Sequence, residues 1–263
     1  MYDTFLTQDG SVGLYNKELN EIYHSKFGAK KEAYEKFVEP VLNIKPPKIL
    51  DICYGIGYNT KTAIKYLKNI EYIDCIEIDE KLAKDSFKYS FDEKIDKIIE
   101  SNLKKPDFIH FYFDDARKII PQLNKKYNII FHDGFAPYKQ PELWSEEFVF
   151  CVSKLLEDNG LYVTYNHSKP VLSALLKSGM KIGKTIKEEK TTATVASFNS
   201  ELIKNPLSDF EIETLKTKSA ITYKDKNLSS SSKEILDYRK KEIENSTLKT
   251  LSSLIKENKT TSF

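Results

Sequence analysis

Between about residue 48 and residue 198, short apolar runs of strand character alternate with segments of helical character. Such an alternation predicts βα units, in which helices cover both faces of a mostly parallel sheet. We predict seven strands, at residues 49–52, 72–78, 108–113, 128–132, 161–165, 181–186 and 192–198. Only a tight turn separates the last two, so we expect a terminal antiparallel hairpin on the otherwise parallel sheet of a doubly wound α/β fold.

Two extensions flank this central unit. Residues 1–45 are predicted to form an N-terminal cap, with a hairpin around Asp9-Gly10 and a helix over residues 29–38. Residues 46–200 form the predicted α/β domain, and the polar residues 201–263 a helical C-terminal extension.

Capping residues set the expected helix limits within the domain. Ser145 is a suitable N-cap for a helix that should stop at the turn-forming residues 158–160. Ser168 should cap a second helix that ends at Gly179, and residues 60–68 should form a third.

The composition limits the classes of function. The 263 residues carry a formal net charge of +2, so any basic surface must be a local patch. Cys53, Cys75 and Cys151 lie far apart with no metal-ligand spacing, which favours reduced thiols, a cytoplasmic protein and no bound metal. A secretory leader and an apolar run near the roughly 20 residues that span a bilayer are both lacking. We therefore expect no membrane association, and we expect a monomer.

A glycine-rich turn follows the first predicted strand, in the sequence D-I-C-Y-G-I-G-Y-N-T of residues 51–60. Glycine lets a backbone approach a ligand closely, and a helix N-terminus favours negative charge. A dinucleotide fingerprint needs a third glycine where Thr60 stands, so a nicotinamide or flavin cofactor is disfavoured. The motif instead resembles the first motif of S-adenosylmethionine (SAM) methyltransferases. The residues predicted to surround the methionine part of SAM are Asp51, Gly55, Gly57 and Asn59. The alternative is an ordinary tight turn between strand and helix.

The second predicted strand also ends in acids. Glu77 lies 22 residues after Gly55, where an acid is placed to accept hydrogen bonds from both ribose hydroxyls. We include its neighbour Ile78 in the predicted SAM site. The alternative role of such acids is to cap a helix, which suits Asp79 better than Glu77.

The third predicted strand ends in Asp114-Asp115-Ala116, and we include all three residues in the SAM site. We expect Asp115 to accept a hydrogen bond from the adenine amino group, and either acid to cap the next helix. Acids at the ends of successive strands converge on one crevice. Because carboxylates repel phosphates, they fit a nucleoside joined to an amino acid better than a phosphate ligand.

Asp133 follows the fourth predicted strand on a loop that contains two prolines, which is where the reactive sulfonium of SAM should lie. Carboxylates and the aromatic faces of Phe135, Tyr138 and Trp144 favour such a cation. Asp133 could also accept a hydrogen bond from an amine and aim its lone pair. The alternative is that Asp133 caps the loop while Phe135 and Trp144 belong to the core. His24 and His132 adjoin these motifs and could line the crevice.

Three blocks carry a resemblance to a known family. Residues 133–144 read D-G-F-A-P-Y-K-Q-P-E-L-W, and further blocks lie at residues 9–32 and 219–243. They resemble the tRNA 5-methylaminomethyl-2-thiouridine methyltransferases, which are related to the methyltransferase half of the bifunctional bacterial wobble-uridine enzyme. The resemblance implies a Rossmann-like SAM-dependent methyltransferase fold. It also implies methyl transfer to the aminomethyl nitrogen of a wobble uridine in the tRNA anticodon, without the oxidoreductase half.

The resemblance also implies roles for further residues. Ser25 and Glu32 from the cap would close over SAM. The residues expected to face the substrate are Phe135, Pro137, Lys139 and Trp144. Lys139 is the preferred phosphate contact over the lysine pairs at residues 30–31, 104–105 and 125–126, which could also contact RNA.

Three departures from the family pattern keep other functions open. Cys53 replaces a glycine, Gln140 replaces the usual asparagine, and residues 187–192 replace a Gly-Gly-Lys-Arg-like segment. One alternative is a methyltransferase or aminopropyltransferase acting on a small amine. Another is a non-catalytic SAM-fold partner protein, against which the four strand-end acids argue.

Overall fold

The structure is a computed structural model that describes residues 2–18 and 20–260. Its strands are β1 (Tyr2–Leu6), β2 (Val12–Asn16), β3 (Glu21–Ile22), β4 (Lys48–Ile52), β5 (Tyr72–Ile76), β6 (Ile109–Tyr112), β7 (Tyr127–His132), β8 (Leu156–Thr164), β9 (Lys181–Lys187) and β10 (Lys190–Ser197). Its α-helices are α1 (Ala29–Glu32), α2 (Tyr58–Tyr66), α3 (Glu80–Lys84), α4 (Glu93–Lys104), α5 (Ala116–Ile119), α6 (Glu146–Ser153), α7 (Lys169–Lys177), α8 (Asp209–Thr214), α9 (Ser232–Asn245) and α10 (Leu251–Thr260).

The central sheet has seven strands in the order β6-β5-β4-β7-β8-β10-β9. The pairs β6–β5, β5–β4, β4–β7 and β7–β8 are parallel, whereas β10 runs antiparallel to both β8 and β9. The predicted mostly parallel sheet with a terminal antiparallel hairpin is therefore confirmed. The strand order reverses between β4 and β7, and ligands of open α/β sheets bind at such a switch point.

The predicted helix at residues 60–68 lies at Tyr58–Tyr66, and Ser168 precedes α7 without a side-chain capping bond. The predicted C-terminal limit of the helix that begins after Ser145 is wrong. Ser145 caps α6 as expected, since its Oγ accepts a hydrogen bond from Phe148 N at 3.2 Å. The helix ends at Ser153, however, and residues 158–160 lie within β8. This part of β8 lies beside a register shift in its pairing with β7, between Tyr127 and Ile129. Residues that usually form turns are thus accommodated in an irregular stretch of strand.

Helices cover both faces of the central sheet. Successive strand residues point to opposite faces, so Ile49 and Leu50 of β4 belong to different apolar clusters. The cluster around Leu50 contains residues of α6 and α7, and the cluster around Ile49 contains residues of α2 and α4. The strands are therefore buried on both faces, and packing against the helices holds their C-terminal ends in place.

The N-terminal segment forms a three-stranded antiparallel sheet, followed by α1 and a continuing helical turn at Ala33–Val38. The predicted hairpin at Asp9-Gly10 is the connection between β1 and β2. A third apolar cluster, which includes Leu14 and Tyr58, packs this segment against α2. The cap therefore lies over the start of α2.

The C-terminal segment is anchored by Arg117, whose Nη1 donates to Asp225 Oδ2 at 2.8 Å and to Ser230 O at 2.8 Å. The Arg239 guanidinium lies 4.8 Å from the ring centroid of Tyr223. The division of the chain at residues 45/46 and 200/201 stays a prediction. Residues 1, 19 and 261–263 of the predicted segments lie outside the described residues.

Within residues 2–18 and 20–260, no helix has the length and apolar character needed to cross a membrane. Over the same residues, no group of three or more His, Cys, Asp or Glu side chains is arranged to hold a metal ion.

Candidate active site

A cavity of about 820 Å³ opens at the C-terminal ends of β4, β5, β6 and β7. Cys53, Glu77, Asp114 and Asp133, which follow these four strands in turn, all line it. The N-terminal cap supplies the opposite wall. The predicted site residues that line the cavity are Ser25, Glu32, Gly55, Asn59, Glu77, Ile78, Asp114, Asp115, Ala116, Asp133 and Phe135.

The glycine-rich turn folds with positive φ angles of 69° at Cys53, 57° at Gly55 and 81° at Gly57. Gly55 lines the cavity, and a Cβ added there would lie 3.3 Å from the Tyr23 ring. Gly57 does not line the cavity, and a Cβ there would lie 2.3 Å from the Tyr54 hydroxyl. Gly57 therefore shapes the turn, which corrects its predicted contact with SAM.

Asp51 also acts behind the cavity rather than in it. Its side chain is fully buried, does not line the cavity, and accepts a hydrogen bond from Thr60 Oγ1 at 2.6 Å through Oδ2. Burial raises the pKa of Asp51 to about 7. The prediction that Asp51 contacts SAM is corrected, because its carboxylate instead ties the end of β4 to the first turn of α2.

Glu77 is held in position by two backbone amides. Its Oε2 accepts from Gly55 N at 2.8 Å, and its Oε1 accepts from Asp79 N at 3.0 Å. Burial raises the pKa of Glu77 above its usual value. Each oxygen keeps a further lone pair for a ligand hydroxyl. The predicted capping role of Asp79 is confirmed, since its Oδ1 accepts from Leu82 N at 2.9 Å.

The two acids after β6 differ in their partners. Asp115 caps α5 by accepting from Arg117 N at 2.9 Å, and its Oδ2 accepts from Arg117 Nη2 at 2.7 Å. Asp114 Oδ1 accepts from Lys118 Nζ at 2.9 Å. Both acids line the cavity, but both carboxylate oxygens of Asp115 accept from the Arg117 guanidinium. The bonds that Asp114 accepts from the described residues, from Lys118 Nζ and Asp115 N, reach only its Oδ1. Asp114 is therefore better placed to accept the adenine amine than Asp115, which we predicted for that role.

Asp133 lies at the inner end of the cavity. Its backbone N donates to Ile52 O at 3.1 Å, and its Oδ2 accepts from Asn59 Nδ2 at 2.8 Å. Burial, together with the nearby Glu32 carboxylate, raises the pKa of Asp133 to about 7. A carboxylate in such surroundings gains from a neighbouring cation and can accept a proton near neutral pH.

The loop after Asp133 contains both cavity residues and core residues. The Phe135 ring packs edge-to-face against Tyr23 at a centroid distance of 4.8 Å, and both line the cavity. Trp144 is fully buried, stacks on His132 at 4.2 Å and donates from Nε1 to Phe135 O at 2.7 Å. Trp144 therefore supports the loop from the core and does not line the cavity, which corrects its predicted contact with the substrate.

Three further predictions at this loop are corrected or limited. Pro137 is buried and does not line the cavity. His132 is fully buried with its Nδ1 against the Tyr162 hydroxyl, so it does not line the crevice, whereas His24 does. Lys139 also lies outside the cavity lining, with its Nζ 3.9 Å from Glu21 Oε1.

Four of the six lysines in the pairs predicted for RNA contact have side-chain partners within the protein. Lys30 Nζ donates to Phe91 O, Lys104 Nζ to Glu100, Lys125 Nζ to Asp74 and Lys126 Nζ to Lys154 O. The segment at residues 187–192 comprises the end of β9, the turn at residues 188–189 and the start of β10, and it does not line the cavity. Its departure from the family pattern therefore leaves the cavity wall unchanged.

The cavity-lining residues that sequence reasoning missed include Tyr23, Lys36 and Tyr165. Tyr165 follows β8 and donates from its hydroxyl to Gly134 O at 2.9 Å. The position of Tyr165 at the end of a predicted strand could have identified it. Lys36 lies on the helical turn after α1, and no local motif indicates that it reaches the cavity.

The comparisons with known proteins agree with this geometry. A family model described as an S-adenosyl-L-methionine-dependent methyltransferase matches residues 79–199. The uncharacterized protein MJ0670 of Methanocaldococcus jannaschii is 33% identical over 250 residues, which cover 89% of this chain and 70% of that protein. The crystal structure of MnmC2 from Aquifex aeolicus is similar with a TM-score of 0.80 and 29% identity, over 94% of this chain and 86% of that one. The protein is thus a SAM-dependent methyltransferase. It belongs, with MJ0670, to a family of methyltransferases that resemble MnmC2.

Two more distant relatives carry different names. The bifunctional tRNA 5-methylaminomethyl-2-thiouridine biosynthesis protein MnmC of Campylobacter hominis is 25% identical over 65% of this chain and 29% of that protein. The polyamine aminopropyltransferase of Alkaliphilus oremlandii is 27% identical over 71% of this chain and 60% of that protein. The chain spans less than two thirds of either relative, so the acceptor has to be argued from the site.

The residues of the cavity fit SAM. A volume of about 820 Å³ is within the usual range for sites that enclose a small molecule. Glu77 and Asp114 lie where a nucleoside is bound in this fold, and the Asp133 carboxylate offers a partner to a sulfonium cation. Ser25 N donates to Glu32 Oε2 at 2.8 Å, which closes the cap side of the cavity.

Proposed function

We propose that this protein transfers the methyl group of SAM to the amine of 5-aminomethyl(-2-thio)uridine at the wobble position of tRNA. The observation that carries the proposal is the position of Asp133, a carboxylate with a pKa near 7 inside a cavity walled by acids and aromatic rings. An alkylamine is largely protonated at neutral pH, so its recognition needs acids. The similarity to the bifunctional tRNA 5-methylaminomethyl-2-thiouridine biosynthesis protein MnmC supports an acceptor carried by tRNA.

The residues that line the cavity have different roles in the proposed reaction. SAM supplies the electrophilic methyl group when it is bound. Asp133 accepts a hydrogen bond or a proton from the acceptor amine and so presents the nitrogen lone pair. Asn59 fixes the Asp133 carboxylate through the 2.8 Å hydrogen bond. Tyr23 and Phe135 exclude water from the same end of the cavity.

At the nucleoside end of the cavity, the ligand is bound by acids whose carboxylates accept hydrogen bonds from backbone amides. Glu77 accepts the ribose hydroxyls, and Asp114 accepts the adenine amine beside Ile78 and Ala116. Asp115 contributes to the wall while it holds α5 and Arg117 in place. Gly55 lets the turn approach the ligand, because a side chain there would compete with Tyr23 for space.

The RNA side of the proposal rests on exposed aromatic residues near the cavity. Tyr138 is 61% exposed and Phe27 is 71% exposed. Exposed rings beside a site for a single base can stack on the neighbouring bases of an anticodon loop. Phe135 faces the acceptor from inside the cavity, and Lys139 reaches a phosphate only if it leaves Glu21.

The experiment is methyl transfer from radiolabelled SAM to a panel of acceptors. The panel contains tRNA that carries 5-aminomethyl(-2-thio)uridine, the same tRNA without the aminomethyl group, and free putrescine and spermidine. The proposal expects label only in the first acceptor. Label in the unmodified tRNA would place the methyl group elsewhere and overturn the proposal.

A small amine as acceptor is the second candidate function. The acid-rich cavity favours it, because a free polyamine would find the same carboxylates without any need for RNA contacts. Label in putrescine or spermidine, with none in tRNA, would establish this alternative. A monomeric protein in the cytoplasm, acting without a metal, stays a prediction under either function.

A further inference from the structure

The charges around the cavity are strongly unequal. Among the described residues, ten carboxylate side chains line the cavity and Lys36 is the single lysine or arginine that does so. Acids outnumber basic residues here although the whole chain carries a formal charge of +2. An ammonium in such a place is therefore a specific feature of the cavity and does not follow from the lysine-rich composition.

Lys36 is held at the Asp133 end of the cavity by two contacts. Its Nζ forms an ion pair with Glu32 Oε1, four residues earlier on the same helix. The Nζ also lies 5.7 Å from the ring centroid of Tyr165, whose hydroxyl bonds to Gly134 O. An ammonium has three N–H donors, so the pair with Glu32 leaves donors for a ligand.

The three charged groups of SAM have different needs in this cavity. The sulfonium and the α-ammonium are cations that the surrounding carboxylates favour. The α-carboxylate is an anion that the same carboxylates repel, so it requires a positive partner. Lys36 is the side chain on the cavity wall that meets this need.

We propose that Lys36 binds the α-carboxylate of SAM and thereby selects SAM over its decarboxylated form. Loss of the carboxylate from SAM leaves an aminopropyl chain on the sulfonium, which is the group that an aminopropyltransferase transfers. On this account, Lys36 is the residue that makes the cavity selective for the donor used in methyl transfer. The inference rests on SAM as the donor in the proposed function and is independent of the acceptor.

Calorimetric titration tests the inference without turnover. The ligands are S-adenosylhomocysteine, which keeps the carboxylate, and its decarboxylated analogue, which differs only in that group. The variants are Lys36→Met and Lys36→Arg, with Lys31→Met as the matched control, because Lys31 is exposed and lies outside the cavity lining. Thermal unfolding establishes that each variant is folded.

The wild type is expected to bind S-adenosylhomocysteine about tenfold or more tightly than the decarboxylated analogue. Lys36→Met should remove most of this preference by weakening only the carboxylate-bearing ligand. Lys36→Arg should keep part of the preference, and Lys31→Met should keep all of it. These results support the inference even if the protein methylates no tRNA.

Three results would overturn it. The first is a wild type that binds both ligands equally, a comparison that needs no variant to fold. The second is an equal loss of affinity for both ligands in Lys36→Met. The third is unchanged binding of both ligands combined with weaker binding of tRNA, which would assign Lys36 to an RNA phosphate.

Discussion

Asn59 donates a hydrogen bond from Nδ2 to Asp133 Oδ2 at 2.8 Å, although the two residues are 74 positions apart in the chain. Asn59 lies in the first turn of α2, and Asp133 follows β7. The bond therefore joins the glycine-rich turn to the loop that carries the proposed catalytic carboxylate. It fixes the orientation of that carboxylate and favours its charged form, since it lowers the pKa of Asp133 against the effect of burial.

Replacing Asp133 by Asn should lower kcat by about 100-fold or more, because the amide cannot accept a proton from the amine. Single-turnover methyl transfer measures the effect. Titration with S-adenosylhomocysteine serves as the control and should still detect binding, since Glu77 and Asp114 are unchanged. A variant that transfers methyl groups as fast as the wild type would remove Asp133 from the mechanism.

The pH profile of kcat/KM should report the Asp133 carboxyl group. Its pKa is about 7, so the group is protonated and inactive as an acceptor below that pH, and kcat/KM should fall as the pH drops through it. Asn59→Ala removes a hydrogen bond to the charged form and should move this inflection to higher pH. An inflection unchanged in Asn59→Ala would argue against Asp133 as its source.

Asp51 should make the free energy of unfolding depend on pH. Burial raises the pKa of Asp51 from its usual value of 3.8 to about 7 in the folded protein, so the folded state binds the proton more tightly than the unfolded state. The resulting stability is present at low pH and is lost as the pH rises towards 7. A shift of this size corresponds to roughly 4 kcal/mol.

Asp51→Asn cannot titrate, so its stability relative to the wild type should increase between about pH 5 and about pH 8. Urea denaturation at both pH values measures the difference. Both proteins contain Asp133, whose pKa is also raised to about 7, and the comparison at matched pH cancels the part of its contribution that does not depend on the Asp51 charge. A constant difference between the two proteins would contradict the raised pKa of Asp51.

Cys53 occupies a backbone conformation that favours glycine, with a φ of 69°. The left-handed region costs a residue with a Cβ roughly 1–2 kcal/mol, and the extra chain entropy of glycine offsets part of this. Cys53→Gly should therefore be more stable than Cys53→Ala by about 1 kcal/mol. Both variants lose the same thiol, so denaturation of the pair isolates the backbone effect. An alanine variant as stable as the glycine variant would refute it.

The sheet and the strand-end acids follow from the sequence because their signals are local. All six residues of β7 are buried, and its mostly apolar sequence ends next to Asp133. In β4 four of the five residues are buried, and the glycine-rich turn that follows marks the beginning of α2. The wrong limit of α6 arose because residues 158–160 are typical of turns, whereas β8 continues through them at a register shift, between its pairs with β7 at Leu156 and Leu161.

The errors in the site arose where contacts between distant residues decide the role of a side chain. Asp114 and Asp115 are adjacent acids, and the cap falls to Asp115, whose partner Arg117 is itself held by Asp225 from 108 positions away. Trp144 lies in the most specific motif of the chain, yet its stacking on His132 buries it. Neither outcome has a local sequence signal.

The most direct test of the central claim is nucleoside analysis of tRNA after incubation with the protein and SAM. The substrate is tRNA that carries 5-aminomethyl(-2-thio)uridine, and the digest is analysed by liquid chromatography and mass spectrometry. We predict conversion of that nucleoside to its 5-methylaminomethyl form by the wild type and not by Asp133→Asn. A wild type that binds SAM but leaves this nucleoside unchanged would contradict the account.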